Sequence, residues 1–114
     1  MIAIIFEVEP HSQTASTYFD IAGDLKPVLE KMDGFISVER FESLMQPGKF
    51  LSLSFWRDEE AVKQWRNLEA HREAQASGRD GLFKDYRLRV AHVLRDYGLS
   101  ERAEAPADSL ETHG

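Results

Sequence analysis

The chain has 114 residues, of which 42% are hydrophobic and 30% charged, and its formal net charge is −6. That is enough material for one domain with a modest core, and its acidic balance is a poor match to nucleic acid, which is held by clustered Lys and Arg. It has no cysteine, which excludes disulfides, zinc fingers, iron–sulfur clusters and thiol nucleophiles.

The first ten residues, "MIAIIFEVEP", are apolar but lack a basic leader and reach Glu7 and Glu9 at once, so they read as a strand from Ile2 to Glu9 rather than a signal peptide. Pro10 ends it, and "HSQTAS" is a polar loop in which Thr14 or Ser16 suits a helix cap. From Ala15 to Met32 the apolar spacing is helical, with Leu25, Val28, Leu29 and Met32 in register. Gly23-Asp24 and Pro27 interrupt it, which predicts two short helices, the second capped by Asp24. Gly34 is free to take a left-handed cap.

"FISVERFESL" and "FLSLSFW" alternate around the turn signal "QPGK", predicting a hairpin. Phe35, Ser37, Glu39 and Phe41 fall on one face of the first run, against Ile36, Val38 and Arg40. Asp58 suits a cap and Glu59 and Glu60 suit the first turn of a helix that runs to about Ser77, with a possible break at Asn67. "YRLRVAHVLRDY" is the last strand, with Tyr86, Leu88, Val90, His92 and Leu94 on one face.

The order β-α-β-β-α-β predicts an α+β, ferredoxin-like fold, a four-stranded antiparallel sheet with helices on one face. Its strands carry apolar residues on both faces. An open face of that kind exceeds what monomers usually expose, so a sheet-to-sheet homodimer is expected. The domain is placed at residues 1–98. Residues 99–114 are expected to form a flexible acidic tail, since Glu101, Glu104, Asp108 and Glu111 stand against Arg102 alone. No apolar run approaches the roughly 18 residues that span a bilayer, so no membrane partner and a cytoplasmic location are expected.

The strand order, the run from Phe55 and Trp56 through Ala61 to Trp65, and "HREAQASGRDGLFKDYRLRVAHVLRDYG" resemble the antibiotic biosynthesis monooxygenase (ABM) domain, a dimeric α+β barrel. The resemblance covers roughly residues 2 to 97. It implies a homodimer with two sheets facing each other and a pocket between each sheet and its helices. Family members include cofactor-independent oxygenases of aromatic polyketides or quinols, haem-degrading enzymes, and others without an established activity. The haem degraders use a first-strand asparagine, a tryptophan on the second main helix and a later histidine ligand. Here Trp65 matches the tryptophan, Glu7 falls near the asparagine, and Gln75 stands at the histidine, with His71 one turn earlier.

The expected function is therefore a small cofactor-independent monooxygenase using O2 on a hydrophobic aromatic or quinol-type substrate. The alternatives are haem binding or degradation, and a non-catalytic ligand-binding or structural dimer. His71 is the candidate base: an imidazole titrates near neutral pH and can take a proton from a phenol or quinol. Its other reading is a solvated histidine bonded to Glu69 or Glu73. Trp65 reads as a core tryptophan, as an aromatic wall, or as both. His92, central in the last strand, reads as a buried neutral histidine, as a pocket residue opposite His71, or as part of the dimer barrel. Arg72 belongs to a basic set with Arg79, Arg87 and Arg89 that pairs with nearby acids or holds a ligand carboxylate. Tyr86 reads as a phenolic hydrogen-bond donor or as a residue that brackets the strand, Asn67 as a group that polarises a ligand carbonyl or as a helix break, and with Gln75 they complete the substrate-binding set. The four histidines are scattered, so no metal site is expected.

Overall fold

A computed structural model of the chain describes residues 1–77 and 83–108, with side chains in the second helix described as far as Leu68. The elements are β1 (Ile2–Pro10), α1 (Ala15–Glu30), β2 (Phe35–Glu42), β3 (Phe50–Trp56), α2 (Glu59–Ser77) and β4 (Phe83–His92). The four strands form one sheet in the order β2-β3-β1-β4, and every pairing is antiparallel. This is the ferredoxin-like arrangement anticipated from the alternation of strand and helix patterns.

Register assigns the two faces. Ile4, Phe6 and Val8 of β1 pair with Val90, Leu88 and Tyr86 of β4, and with Ser54, Ser52 and Phe50 of β3. Directly opposed residues point the same way, so these rows share the face on which Ile4, Phe6 and Val8 are buried. The other face carries Ile5, Leu51, Leu53, Phe55 and Phe41, with Glu7, Arg87 and Arg89 toward β4.

Three local details depart from the expected elements. Residues 15–30 form one helix, not two, with Pro27 inside it. Its stripe of Tyr18, Ala22, Leu25 and Leu29 is buried without interruption, and that burial outweighs the punctuation. Gly23, four residues before Pro27, has open space around it, so the carbonyl that the proline ring would crowd can tilt outward. Second, the β2–β3 register shifts between Phe35 and Ser37. The bulge turns Phe35 onto the face of Val38 and Arg40, where it meets Trp56 edge-on at 5.3 Å. Third, β4 starts at Phe83 and stops at His92, leaving Leu94 outside the strand and exposed. Asn67 marks no break, since α2 runs unbroken to Ser77.

Two glycines take positive φ in tight turns. Gly48 (φ 89°) follows Pro47 in the hairpin turn closed by Lys49 N–H on Gln46 O at 3.1 Å. Gly34 (φ 86°) holds the same place in the turn closed by Phe35 N–H on Met32 O. Both suit a type II turn, which needs positive φ at its third residue. Gly34 has a second constraint, because a Cβ there would lie 2.6 Å from that of Ala61.

A cluster of charges fixes the start of α2. Asp58 caps it, accepting from Ala61 N–H at 3.0 Å. Arg57 donates to both oxygens of Asp33 (3.1 and 3.0 Å) and, through Nε, to Asp58 at 3.1 Å. Its own N–H donates to Gly34 O at 2.7 Å. The pairs are solvent-exposed and so contribute little by charge alone; their effect is to join the α1–β2 turn to the first turn of α2. The Arg57 guanidinium holds Asp33 below the usual carboxylate range. The Ala61 N–H, then Arg57, do the same for Asp58.

Gly34→Ala meets both the φ penalty and the Ala61 contact, and is expected to cost on the order of 2–4 kcal/mol in urea unfolding. A loss below about 0.5 kcal/mol, the range of ordinary surface changes, would refute the close approach. Because Asp33 and Asp58 are depressed, their contribution is complete above the unfolded carboxylate value of about 3.9 and disappears as pH falls toward their folded values. Melting temperature should thus drop below about pH 4, and drop less steeply in Asp58→Asn, which keeps a cap but cannot titrate. Parallel wild-type and variant curves would count against the assignment.

Candidate active site

The candidate site originates in the side-chain sizes along β3. Alternation puts Phe50, Ser52, Ser54 and Trp56 on the helix-facing side, so two small residues lie between two large ones. The core divides accordingly. One cluster gathers Ile4, Leu29, Trp56, Ala61 and Val62, with Phe35 and Trp65 packed against it. The other gathers Phe6, Val8 and Tyr18, with Phe50 and Phe83 against it. Between them, under Ile21, Ala22 and Leu25 of α1, lies a cleft lined by Phe6, Tyr18, Trp56 and Trp65, with Ser52, Ser54 and Arg40 among its polar groups. Its free volume is about 40 Å³, room for a few water molecules and less than an aromatic ring needs.

The walls are mutually braced. Trp56 is fully buried and stacks on Trp65 with centroids 6.2 Å apart and planes at 26°. At the other end Phe83 meets Phe6 (5.7 Å) and Tyr18 (5.5 Å) edge-on. These offset and edge contacts are the ones aromatic quadrupoles favour.

The polar groups are few. Trp56 Nε1 donates to Ser54 Oγ at 2.9 Å, which leaves the serine proton free to be donated elsewhere. Arg40 stands directly opposite Ser52 in the β2–β3 ladder. Its Nε is buried and has no hydrogen-bond partner among the described residues. Among the described residues, Arg40 is the one formally charged side chain lining the cleft.

The residues anticipated from sequence are distributed unevenly. Trp65 lines the cleft, half-buried. Tyr86 lies on the same sheet face, 61% exposed, against Phe6 and Phe83. Asn67 is exposed. His92 is neither central in its strand nor buried: it is the last residue of β4, exposed, beside Met1, Arg57 and Asp58 in a separate groove. The side chains of His71, Arg72 and Gln75 lie outside the described residues. Glu7 projects from the opposite face of the sheet, 3.6 Å from Lys49 and 3.5 Å from Arg89. Arg40, Ser52, Ser54 and Tyr18 were not singled out from sequence. Their one signal was the pair of serines at alternate positions in an otherwise aromatic and aliphatic strand.

Comparison with known proteins places these features in a family. The family described as antibiotic biosynthesis monooxygenase matches residues 1–77. A fungal protein from Pyricularia oryzae named jasmonate monooxygenase ABM is 50% identical over 93 residues, covering 82% of this chain but 43% of the fungal protein. The chain thus corresponds to less than half of that relative's length. Among solved structures, Rv0793 from Mycobacterium tuberculosis superposes with a TM-score of 0.71 at 18% identity, over 85% of this chain and 98% of that one. The haem-degrader MhuD from the same organism, solved with two haems in its active site, superposes with a TM-score of 0.64 at 15% identity, over 86% and 100%. At such identities the structural likeness speaks for the fold. With most of its length matched by the family pattern, this chain belongs to the antibiotic biosynthesis monooxygenase family.

Proposed function

We propose that the chain is a small monooxygenase that oxidises a hydrophobic, aromatic or quinol-type substrate with O2 in the cleft between sheet and helices, without a bound cofactor. The observation that carries this reading is the aromatic-walled cleft over Ser52 and Ser54. The name of the fungal relative supports oxygenation as the reaction. A phenol oxidised to a quinone gains one oxygen atom from O2 and supplies all four electrons; the other oxygen leaves as water, so no outside reductant is required. What the protein must add is a base, orientation and exclusion of bulk water. We assign the base to His71, the one histidine in the sequence of α2, and the stacking wall to Trp65. A ring needs more room than 40 Å³. Binding therefore requires side chains at the mouth to rotate, and Leu88, 42% exposed, is the lining residue with the least packing to lose.

Haem is the poorer fit to these residues. Glu7, which falls near the family's first-strand asparagine, is on the far side of the sheet, and its neighbours Phe6 and Val8, which do face the helices, offer no hydrogen bond.

We also propose a homodimer through the open sheet face. Ile5, Leu51, Leu53, Phe55 and Phe41 form an apolar surface there, and Phe41 is 41% exposed. A second copy of the same face would cover it. No helix among the described residues is long and apolar enough to cross a membrane.

With a panel of naphthols and quinols, the metal-free protein should consume O2, and His71→Ala should lower kcat by about 10²–10⁴-fold at unchanged melting temperature. Absence of uptake across the panel, beside a Soret shift and turnover on added hemin, would replace this reading with the haem one. Sedimentation at micromolar concentration should show a dimer that Leu53→Asp dissociates, because two charges would meet across a dry interface. A wild-type monomer would exclude the dimer.

A further inference from the structure

We propose that Arg40 is a specificity-determining residue that binds a carboxylate, so that the cleft takes a compact apolar ring system bearing one carboxylate group. This rests on the cleft being the substrate site and goes further by naming the charge the substrate carries.

The argument begins with an imbalance. Arg40 is a permanent cation at any physiological pH. Its Nε is buried with no hydrogen-bond partner among the described residues. Among the described residues, no ion pair involves it, and no acidic side chain lines the cleft beside it. The other arginine and lysine ion pairs lie elsewhere: Arg57 with Asp33 and Asp58, and Lys49 and Arg89 with Glu7. Buried donors in native proteins are nearly always satisfied, and Arg40, only partly buried as a residue, has its charge unpaired among the described residues. A water molecule can satisfy the donor but leaves the charge. A carboxylate satisfies both, since its two oxygens fit side-on to Nε and one terminal nitrogen of guanidinium.

The surroundings define the remainder of the ligand. Ser52 faces Arg40 across the ladder, and its hydroxyl can donate to the same carboxylate. Phe6, Tyr18, Trp56 and Trp65 supply apolar walls. The chemistry recognised is thus an amphipathic organic acid, with the charge at the β2 side of the cleft and the ring toward the tryptophans.

The test uses matched ligands on the full chain: 2-naphthoic acid and its methyl ester, titrated by calorimetry against wild type, Arg40→Met and Arg40→Lys. Wild type should bind the acid at least 10-fold more tightly than the ester. Arg40→Met should lose that preference while binding the ester as before. Arg40→Lys, which keeps the charge but not the fork, should retain part of it. The melting temperature of Arg40→Met should equal or exceed that of wild type, since the change removes an unsatisfied buried donor. Equal binding of acid and ester by wild type, or a preference that survives in Arg40→Met, overturns the role of Arg40 and leaves the cleft as an uncharged-ligand site. Failure of wild type to bind either compound overturns the cleft reading and this inference with it.

Discussion

The structure depends on an unfilled space in the middle of its sheet. A four-stranded sheet covered by two helices normally closes its core with large side chains at every inward position of the central strands. Here β3 presents Ser52 and Ser54 at its two central inward positions, and α1 contributes Ala22 over the same region. On β3 the aromatic residues stand at the two ends, Phe50 and Trp56, each in a separate cluster. The chain gives up buried area at its centre and obtains a cleft without lengthening a loop or adding an element. For a protein of this size that is an economical route to a site, because a domain of about 100 residues has little core to spare.

The aromatics at the Trp56 end also brace the cleft there. Trp56 is held by the hydrogen bond from its indole to Ser54, by Phe35 on one side and by Trp65 on the other. The Arg57–Asp33–Asp58 cluster fixes the first turn of α2 against the turn before β2, two helical turns before Trp65. One end of the cleft is thereby anchored by both hydrogen bonding and packing. Toward β4 the support is looser: Leu88 and Val90 point to the helices yet remain 42% and 46% exposed. A ligand entering from that side would meet the least packing resistance.

Much of the fold could be read from the chain, and the site much less so. Strand alternation and helical spacing identify the element order, and the alternation expected of "FLSLSFW" is the one β3 shows. Errors arose where tertiary contacts override local signals. Gly23 and Pro27 look like a break until the buried stripe of α1 is seen to continue past them. Simple alternation puts Phe35 on the face of Phe41, and only the bulge shows that it belongs with Trp56. The attention that sequence reasoning gives to histidines reflects their chemistry in isolation, and at His92 the strand end places the imidazole in solvent. Arg40 shows the converse. An arginine in a strand carries no signal of its own until the pairing of β2 with β3 reveals which way it points and what surrounds it.

The far face of the sheet is not uniformly greasy. Its apolar residues lie on β3 and the adjoining parts of β1 and β2, whereas Glu7, bridged to Lys49 and Arg89, sits toward β4. A surface laid across this face in an arbitrary orientation would strip water from those ions with nothing in return. Only approaches that set oil against oil and leave the ionic strip hydrated, or meet it with opposite charge, escape that penalty. The lopsided placement of three side chains would thus restrict the angle at which any partner docks, with attraction from one half of the face and selectivity from the other.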